Sequence, residues 1–142
     1  EEIREGGMRK GFELVSLSGE RGLLAHTDLE SRYHVGKYRV DTLALEQFVG
    51  GIPLSDPDVR VIVIDEIGPM EILSWVFRRT VEKVLDAPPV CIATAAYRGD
   101  RFIDGIKQRP DVRIYEMTRE NRSRLLAEIR ADAVALLGEP PA

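Results

Sequence analysis

Two adjacent carboxylates, Asp65 and Glu66, are the residues of this sequence best placed to do chemistry. They follow directly after an uninterrupted run of four apolar residues, Val61, Ile62, Val63 and Ile64. Such a β-branched run is typical of a strand buried on both faces of a parallel sheet, and ligands bind beyond the carboxyl ends of those strands. There the first acid can hold a Mg²⁺ ion that bridges two phosphates, and the second can orient or deprotonate an attacking water. The six residues have the form of a Walker B motif, although a strand that ends in an acidic turn would give the same pattern.

These acids need a sheet to position them, and the second half of the chain predicts one. Apolar runs at residues 61–64, 90–93 and 112–115 alternate with helical stripes, which is typical of α/β proteins. We therefore expect residues 41–138 to form an α/β core in which the three runs are adjacent or nearly adjacent strands. Asp41 and Thr42 could cap a short helix, and Thr118 is expected to cap the long final helix.

Residues 1–40 alternate apolar and polar positions between glycine turns, which predicts antiparallel β-hairpins. Together with the core they fit a single domain over residues 1–142, with a mass of 15.9 kDa. A net charge of −4 disfavours a nucleic-acid partner, and no apolar run has the ~18 residues of a membrane span. The one cysteine, Cys91, excludes an internal disulfide and favours a cytoplasmic location, and with two histidines it leaves no zinc motif.

Five segments, in order along the chain, resemble the motifs of one known family. Residues 65–71 read Asp-Glu-Ile-Gly-Pro-Met-Glu, which is similar to the signature of the thermophilic-type nucleoside-triphosphatases, relatives of the human cancer-related nucleoside triphosphatase. The others resemble a Glu-Glu-hydrophobic-Arg-x-Gly-Gly hairpin, the turn after it, a Val-Gly-x-Tyr segment and a Thr-x-Glu-Asn-Arg motif, at residues 1–7, 17–22, 35–41 and 118–122. Five ordered matches are far more specific than any one of them.

The resemblance implies a P-loop NTPase fold of the RecA/ASCE-like type, a three-layer α/β sandwich with the hairpins as an antiparallel extension. It implies Mg²⁺-dependent hydrolysis of ATP, GTP and other nucleoside triphosphates to the diphosphate and phosphate. Glu66 would then activate water, and Asp65 would organise the Mg²⁺ ion as its ligand. The nucleotide-binding residues that it implies are Val61, Ile62, Val63, Ile64, Asp65, Glu66, Ile67, Gly68, Thr94 and Asn121.

The family begins with a strand, a P-loop of the form Gly-x-x-Gly-x-Gly-Lys-Thr-Thr, a helix and a second strand, and the 142 residues contain none of these. Their glycine cluster nearest to a lysine, residues 6–11, has no Ser or Thr after the lysine. Without a neighbouring first strand, the strand at 61–64 would expose unpaired backbone groups, so we expect that segment upstream of Glu1 or on another chain. The 142 residues alone are expected to hydrolyse nucleotides weakly or not at all. They are expected to be monomeric unless another chain supplies the segment.

Several other polar residues have both a functional and a simpler structural interpretation. Thr94 ends a strand where related NTPases place a γ-phosphate sensor, but a hydroxyl can also simply end a strand. Arg98, Arg101 and Arg109 could stabilise transition-state charge, although most surface arginines are only solvated. Glu71 is expected to interact with a helix dipole rather than to take part in catalysis.

Three further residues, His34, Thr118 and Asn121, are interpreted from the family motifs in which or beside which they stand. His34 stands where the family has an arginine, and a histidine lacks the permanent charge and the donor fork of arginine. Asn121 and Thr118 lie near where the nucleotide base of the family would be, although helix capping alone explains Thr118.

Two other functions remain open alongside nucleotide hydrolysis. A chain without a P-loop could serve as a non-catalytic, nucleotide-linked interaction module, although such a module has no need for paired acids. A nucleotide or polynucleotide kinase-like phosphotransferase is the second, because the fold resembles that of kinases, but the sequence shows no acceptor motif. Whether the protein is a hydrolase or a phosphotransferase, its partner would be a nucleoside triphosphate.

Overall fold

Residues 1–138 are described by a computed structural model, in which two β-sheets share one apolar core. The strands are β1 (Glu2–Glu5), β2 (Met8–Val15), β3 (Arg21–His26), β4 (His34–Val35), β5 (Tyr38–Val40), β6 (Val61–Ile67) and β7 (Val90–Ala95). The helices are α1 (Thr42–Gly50), α2 (Trp75–Asp86), α3 (Arg101–Lys107) and α4 (Arg122–Leu137), and a 3₁₀ turn spans Glu71–Leu73. None of the helices within residues 1–138 combines the length and the apolar character that crossing a membrane requires.

The first five strands form one antiparallel sheet in the order β1-β2-β3-β5-β4, which confirms the hairpins predicted for residues 1–40. Gly6 and Gly7 adopt φ values of 55° and 80° in the turn between β1 and β2, a conformation that favours glycine. Gly11 in β2 faces the Ala25 carbonyl of β3 so closely that a Cβ atom would overlap it. The pairing of β2 with β3 therefore depends on a glycine at that position.

The core joins the antiparallel sheet to the rest of the molecule. Ala25 and Val40 of the sheet are completely buried, and Leu45 of α1 packs in the same cluster as Ile67 of β6. Helix α1 begins where the sequence predicts, because the carboxylate of Asp41 accepts a hydrogen bond from a backbone N–H of its first turn at 2.9 Å. The carboxyl end of β6 is thus anchored against the antiparallel sheet.

The second sheet consists of β6 and β7, which pair in parallel with Val61 opposite Val90. Helix α2 connects the two strands, and Ser74 caps it by accepting a hydrogen bond from Phe77 N at 3.0 Å. The adjacent parallel strands predicted at residues 61–64 and 90–93 are confirmed.

The prediction of a third strand at residues 112–115 is wrong within the described residues. Residues 112–117 form no strand, and Ile114 and Met117 in them are more than half exposed. A strand is stabilised by backbone hydrogen bonds to a neighbouring strand, and this segment pairs with neither β6 nor β7. Its side chains instead contact α4, where Arg113 lies 2.6 Å from Asp132. An apolar run by itself does not show whether a neighbouring strand is available for pairing.

The prediction that both faces of the β6 strand are buried is also wrong within the described residues. Ile62 and Ile67 are only 5% and 2% exposed, and Ile67 shares the core with Phe77 of α2. Val61 and Val63 point to the opposite face and are 39% and 55% exposed. Successive side chains of a strand alternate between faces, and the described residues cover only one of the two.

Candidate active site

The parallel pairing of β6 with β7 is interrupted at the two acids singled out by the sequence. Ile64 pairs with Ala93 and Ile67 with Ala95, so Asp65 and Glu66 together stand opposite the single residue between them on β7. This is a β-bulge, a feature that re-aims side chains and occurs often beside active sites. Both carboxylates are exposed at the carboxyl end of the strand.

The single residue opposite the two acids is Thr94, which the sequence also placed in the site. Its hydroxyl donates a hydrogen bond to Asp65 Oδ1 at 2.6 Å. In this structure the hydroxyl therefore orients the carboxylate of Asp65. The contact fixes the direction of the Asp65 side chain, and a γ-phosphate sensor role for Thr94 stays a prediction.

The acids fit a Mg²⁺ ion that is held jointly with a nucleotide. Mg²⁺ is typically bound through one or two carboxylates together with substrate phosphates and water, rather than in a cage made only of protein ligands. Within residues 1–138 no group of three or more potential metal-ligating side chains is gathered at one place. One exposed carboxylate that a hydroxyl already orients, as in Asp65, matches the shared type of site.

Gly68 leaves space for the carboxylates of Glu66 and of a further acid, Glu71, which both come close to it. A Cβ atom at this position would lie 2.6 Å from Glu66 Oε1 and 2.9 Å from Glu71 Oε2. Contacts that short do not occur, so a larger residue at this position would displace both carboxylates. Glycine at position 68 and the acids on either side of it form one packed unit.

Glu71 is the buried member of that unit, with only 9% of its surface exposed. Burial raises the pKa of its carboxyl group to about 7, and the nearby charges of Glu66 and Asp65 act in the same direction. The sequence favoured a helix-dipole role for Glu71. The structure shows that Ser74 caps the helix that follows, whereas Glu71 lies beside Glu66.

The loop after β7 is held at both ends. Lys107 Nζ donates hydrogen bonds to the carbonyl oxygens of Ala96 and Tyr97 at 2.7 and 2.8 Å. Asp100 caps α3 and accepts a hydrogen bond from Arg78 at 2.9 Å. The loop that follows Thr94 is therefore fixed relative to both α2 and α3.

The arginines proposed for charge stabilisation differ in their surroundings. Arg98 and Arg101 are exposed in and after the loop that follows β7. Arg109 contacts Asp86 and Asp111 at 2.7 and 2.6 Å, so its charge already stabilises a link between α2 and the segment after α3. A role for Arg98 or Arg101 stays a prediction.

Asn121 is occupied by local contacts. Its side chain accepts a hydrogen bond from Thr118 N at 2.8 Å and donates one to the Glu116 carbonyl at 2.8 Å. Asn121, not Thr118, is the N-terminal cap position of α4, so the predicted cap at Thr118 is corrected. The Thr118 hydroxyl accepts from Asn121 N instead and closes a tight turn before the helix. Base binding by Asn121 stays a prediction.

Some of the remaining residues predicted to bind nucleotide are buried, and others are exposed. Ile62, Ile67 and Gly68 are buried, so the first two can support the acids only from within the core. Ile64 is half-buried, and Val61 and Val63 lie on the exposed face. The juxtaposition of Gly68 with Glu71 was missed by the sequence analysis, although both residues belong to the motif at 65–71.

Comparison with known proteins identifies the family of this chain. A family model described as NTPase matches residues 1–130. The chain belongs to the NTPase family. The resemblance read from the five sequence motifs is thereby confirmed, and the mixed α/β fold agrees with it.

The curated relatives are somewhat longer than this chain. A nucleoside-triphosphatase THEP1 from Thermotoga maritima is 46% identical over 130 residues, which cover 91% of this chain and 75% of the relative. The human cancer-related nucleoside-triphosphatase is 37% identical over 145 residues, with the same two coverages. Both relatives share nearly the whole of this chain.

Two solved structures are similar in fold. The solution structure of a human cancer-related nucleoside triphosphatase has a TM-score of 0.76 and 35% identity, covering 95% of this chain and 79% of that protein. The crystal structure of THEP1 from Aquifex aeolicus has a TM-score of 0.74 and 27% identity, covering 92% of this chain and 78% of that protein. The similarity therefore extends through both β-sheets.

Proposed function

We propose that this chain carries the catalytic acids of a Mg²⁺-dependent nucleoside triphosphatase that converts a nucleoside triphosphate into the diphosphate and phosphate. The observation that carries the proposal is the bulge at the carboxyl end of β6, which exposes Asp65 and Glu66 beside Thr94. The names of the curated relatives support the same reaction. A three-layer P-loop NTPase fold belongs to this proposal as well.

Each residue has a distinct task in the proposed reaction. Asp65, oriented by Thr94, would hold the Mg²⁺ ion, which when bound would neutralise phosphate charge. Glu66 accepts a proton from the attacking water as the water oxygen bonds to the γ-phosphorus. The bond from that phosphorus to the bridging oxygen breaks, and the nucleoside diphosphate leaves with the electron pair. The protein thus supplies positioning and one base.

The phosphate cradle of the family is the component that residues 1–142 do not contain. We therefore propose that these residues alone release phosphate from ATP or GTP at a rate near background, because positioning and charge stabilisation supply most of this catalysis. A chimera that places the P-loop segment of the Thermotoga maritima relative before Glu1 should gain Mg²⁺-dependent turnover. Robust turnover by residues 1–142 alone would require a different phosphate site.

Paired variants of the chimera separate the tasks of the two acids. Glu66→Gln keeps the size of the side chain but removes the carboxylate, so turnover should fall ~10²–10⁴-fold while nucleotide affinity changes only a few-fold. Asp65→Asn should weaken nucleotide binding and the response to Mg²⁺ together. The test measures phosphate release and, by calorimetry, nucleotide binding on the same preparations of each variant. Normal turnover by Glu66→Gln would leave Glu66 as an acidic turn residue.

A further inference from the structure

Glu71 is a buried acid to which the proposed reaction assigns no task. Its Oε2 atom is buried without a hydrogen-bond partner within the described residues. The charged groups that act on it are the two acids Glu66 and Asp65, and no cation among the described residues compensates them. The backbone N–H groups of Glu71 and Gly68 lower the pKa of this carboxyl group, but burial outweighs them, so Glu71 takes up a proton more readily than an exposed acid does.

A protonated Glu71 has a hydrogen-bond donor to offer, and the geometry shows where it can be used. Glu71 Oε2 and Glu66 Oε1 both lie within 3 Å of the point that a Cβ atom of residue 68 would occupy. The unpartnered oxygen therefore lies close to the carboxylate of the exposed acid, on the side of Gly68 where a Cβ atom would stand. A neutral carboxyl group there can donate to a carboxylate, whereas two ionised groups would repel each other.

The turn that carries Glu71 is held in place from several sides. Ile72 N donates to the Gly68 carbonyl at 3.1 Å, and Ser74 N donates to the Glu71 carbonyl at 3.1 Å. The carbonyl of Ile72 also accepts a hydrogen bond from Arg78 Nε at 2.5 Å. Because Arg78 also contacts Asp100, the turn is tied to the loop that follows β7. Glu71 is thus presented to Glu66 from a fixed backbone.

We propose that Glu71 is a positioning residue, which in its neutral form donates a hydrogen bond to the Glu66 carboxylate and holds it in one orientation. Gly68 provides the space for this contact. The consequence for turnover rests on the proposed function, but the hydrogen bond itself does not. The two statements can therefore be tested separately.

Infrared spectroscopy tests the hydrogen bond on residues 1–142 without any nucleotide. At pH 6 the spectrum should contain the carbonyl band of a protonated carboxylic acid, and Glu71→Gln should remove it. Glu66→Ala should move that band to higher frequency, because the donor loses its acceptor. The control Asp58→Asn, at an exposed position in the loop before β6, should leave the band unchanged. The inference would be overturned if no band depended on Glu71, or if Glu66→Ala left the frequency of that band unchanged.

Turnover of the chimera tests the positioning role. Glu71→Gln retains a neutral donor of the same length, so kcat should stay within a few-fold of the unsubstituted chimera. Glu71→Met keeps the length but not the donor, so kcat should fall about tenfold or more while KM changes only a few-fold. A loss in Glu71→Gln as large as in Glu71→Met would mean that the ionised carboxylate acts instead. If the unsubstituted chimera releases no phosphate, the proposed function fails, and the infrared result still decides the contact.

Discussion

Glu71→Gln should make this protein more stable at high pH, because it removes an acid that must ionise inside the core. The pKa of this group is raised from 4.5 to about 7, mainly by burial. A shift of that size corresponds to about 3 kcal/mol of difference between the two protonation states. Since only 9% of Glu71 is exposed, solvent screening reduces this figure little.

The direction of the effect follows from the proton bound in each state. Between pH 4.5 and 7 folded Glu71 keeps its proton whereas the unfolded chain has lost it, so the free energy of unfolding falls as the pH rises. Glutamine cannot titrate, so the variant does not lose this part of the free energy of unfolding. The stability of Glu71→Gln minus that of the unsubstituted protein should therefore rise by about 3 kcal/mol between pH 4.5 and 7.5 and be level outside that window.

Urea unfolding at five or six pH values between 4 and 8 measures this difference, provided that the slope with urea stays constant. Taking the difference between two proteins cancels the contribution of every other acid that both of them carry. Ile72→Val is a matched control, because it alters a buried neighbour in the same turn without a titrating group. Its stability difference should not change with pH. A difference for Glu71→Gln that is equally flat would refute the reasoning about burial.

Three further predictions concern the site and the fold. In the chimera, Thr94→Val should raise the Mg²⁺ concentration needed for half-maximal phosphate release by about tenfold, because Asp65 loses a hydrogen bond, while Thr94→Ser should not. Asp41→Ala should lower the free energy of unfolding by about 1 kcal/mol in urea titrations, and Asp41→Asn should lower it much less. Ile62→Ala should cost ~2–5 kcal/mol and Val63→Ala less than about 0.5 kcal/mol, since the side chains are 5% and 55% exposed. Equal costs at these two neighbouring positions would show that both faces of β6 are covered.

The sequence by itself determined the features that depend on local pattern. Alternation of polar and apolar residues predicted the antiparallel hairpins of residues 1–40, and two β-branched or apolar runs predicted the parallel pair β6 and β7. Asp41 was predicted as the start of α1 because a side-chain cap needs only residues within one helical turn. The motif at residues 65–71 led to the family, since its order of residue types is specific.

Tertiary structure alone decided the features that depend on neighbours distant in sequence. Residues 112–117 have the apolar composition of a strand but form none, because a strand also needs a backbone partner in reach. The exposure of Val63 likewise depends on what covers its face of the sheet. Glu71 was read as a dipole partner, yet its enclosure beside Glu66 gives it a raised pKa. The sequence identifies an acidic residue, but its pKa depends on burial and on neighbouring charges. Both of these are set by the folded chain.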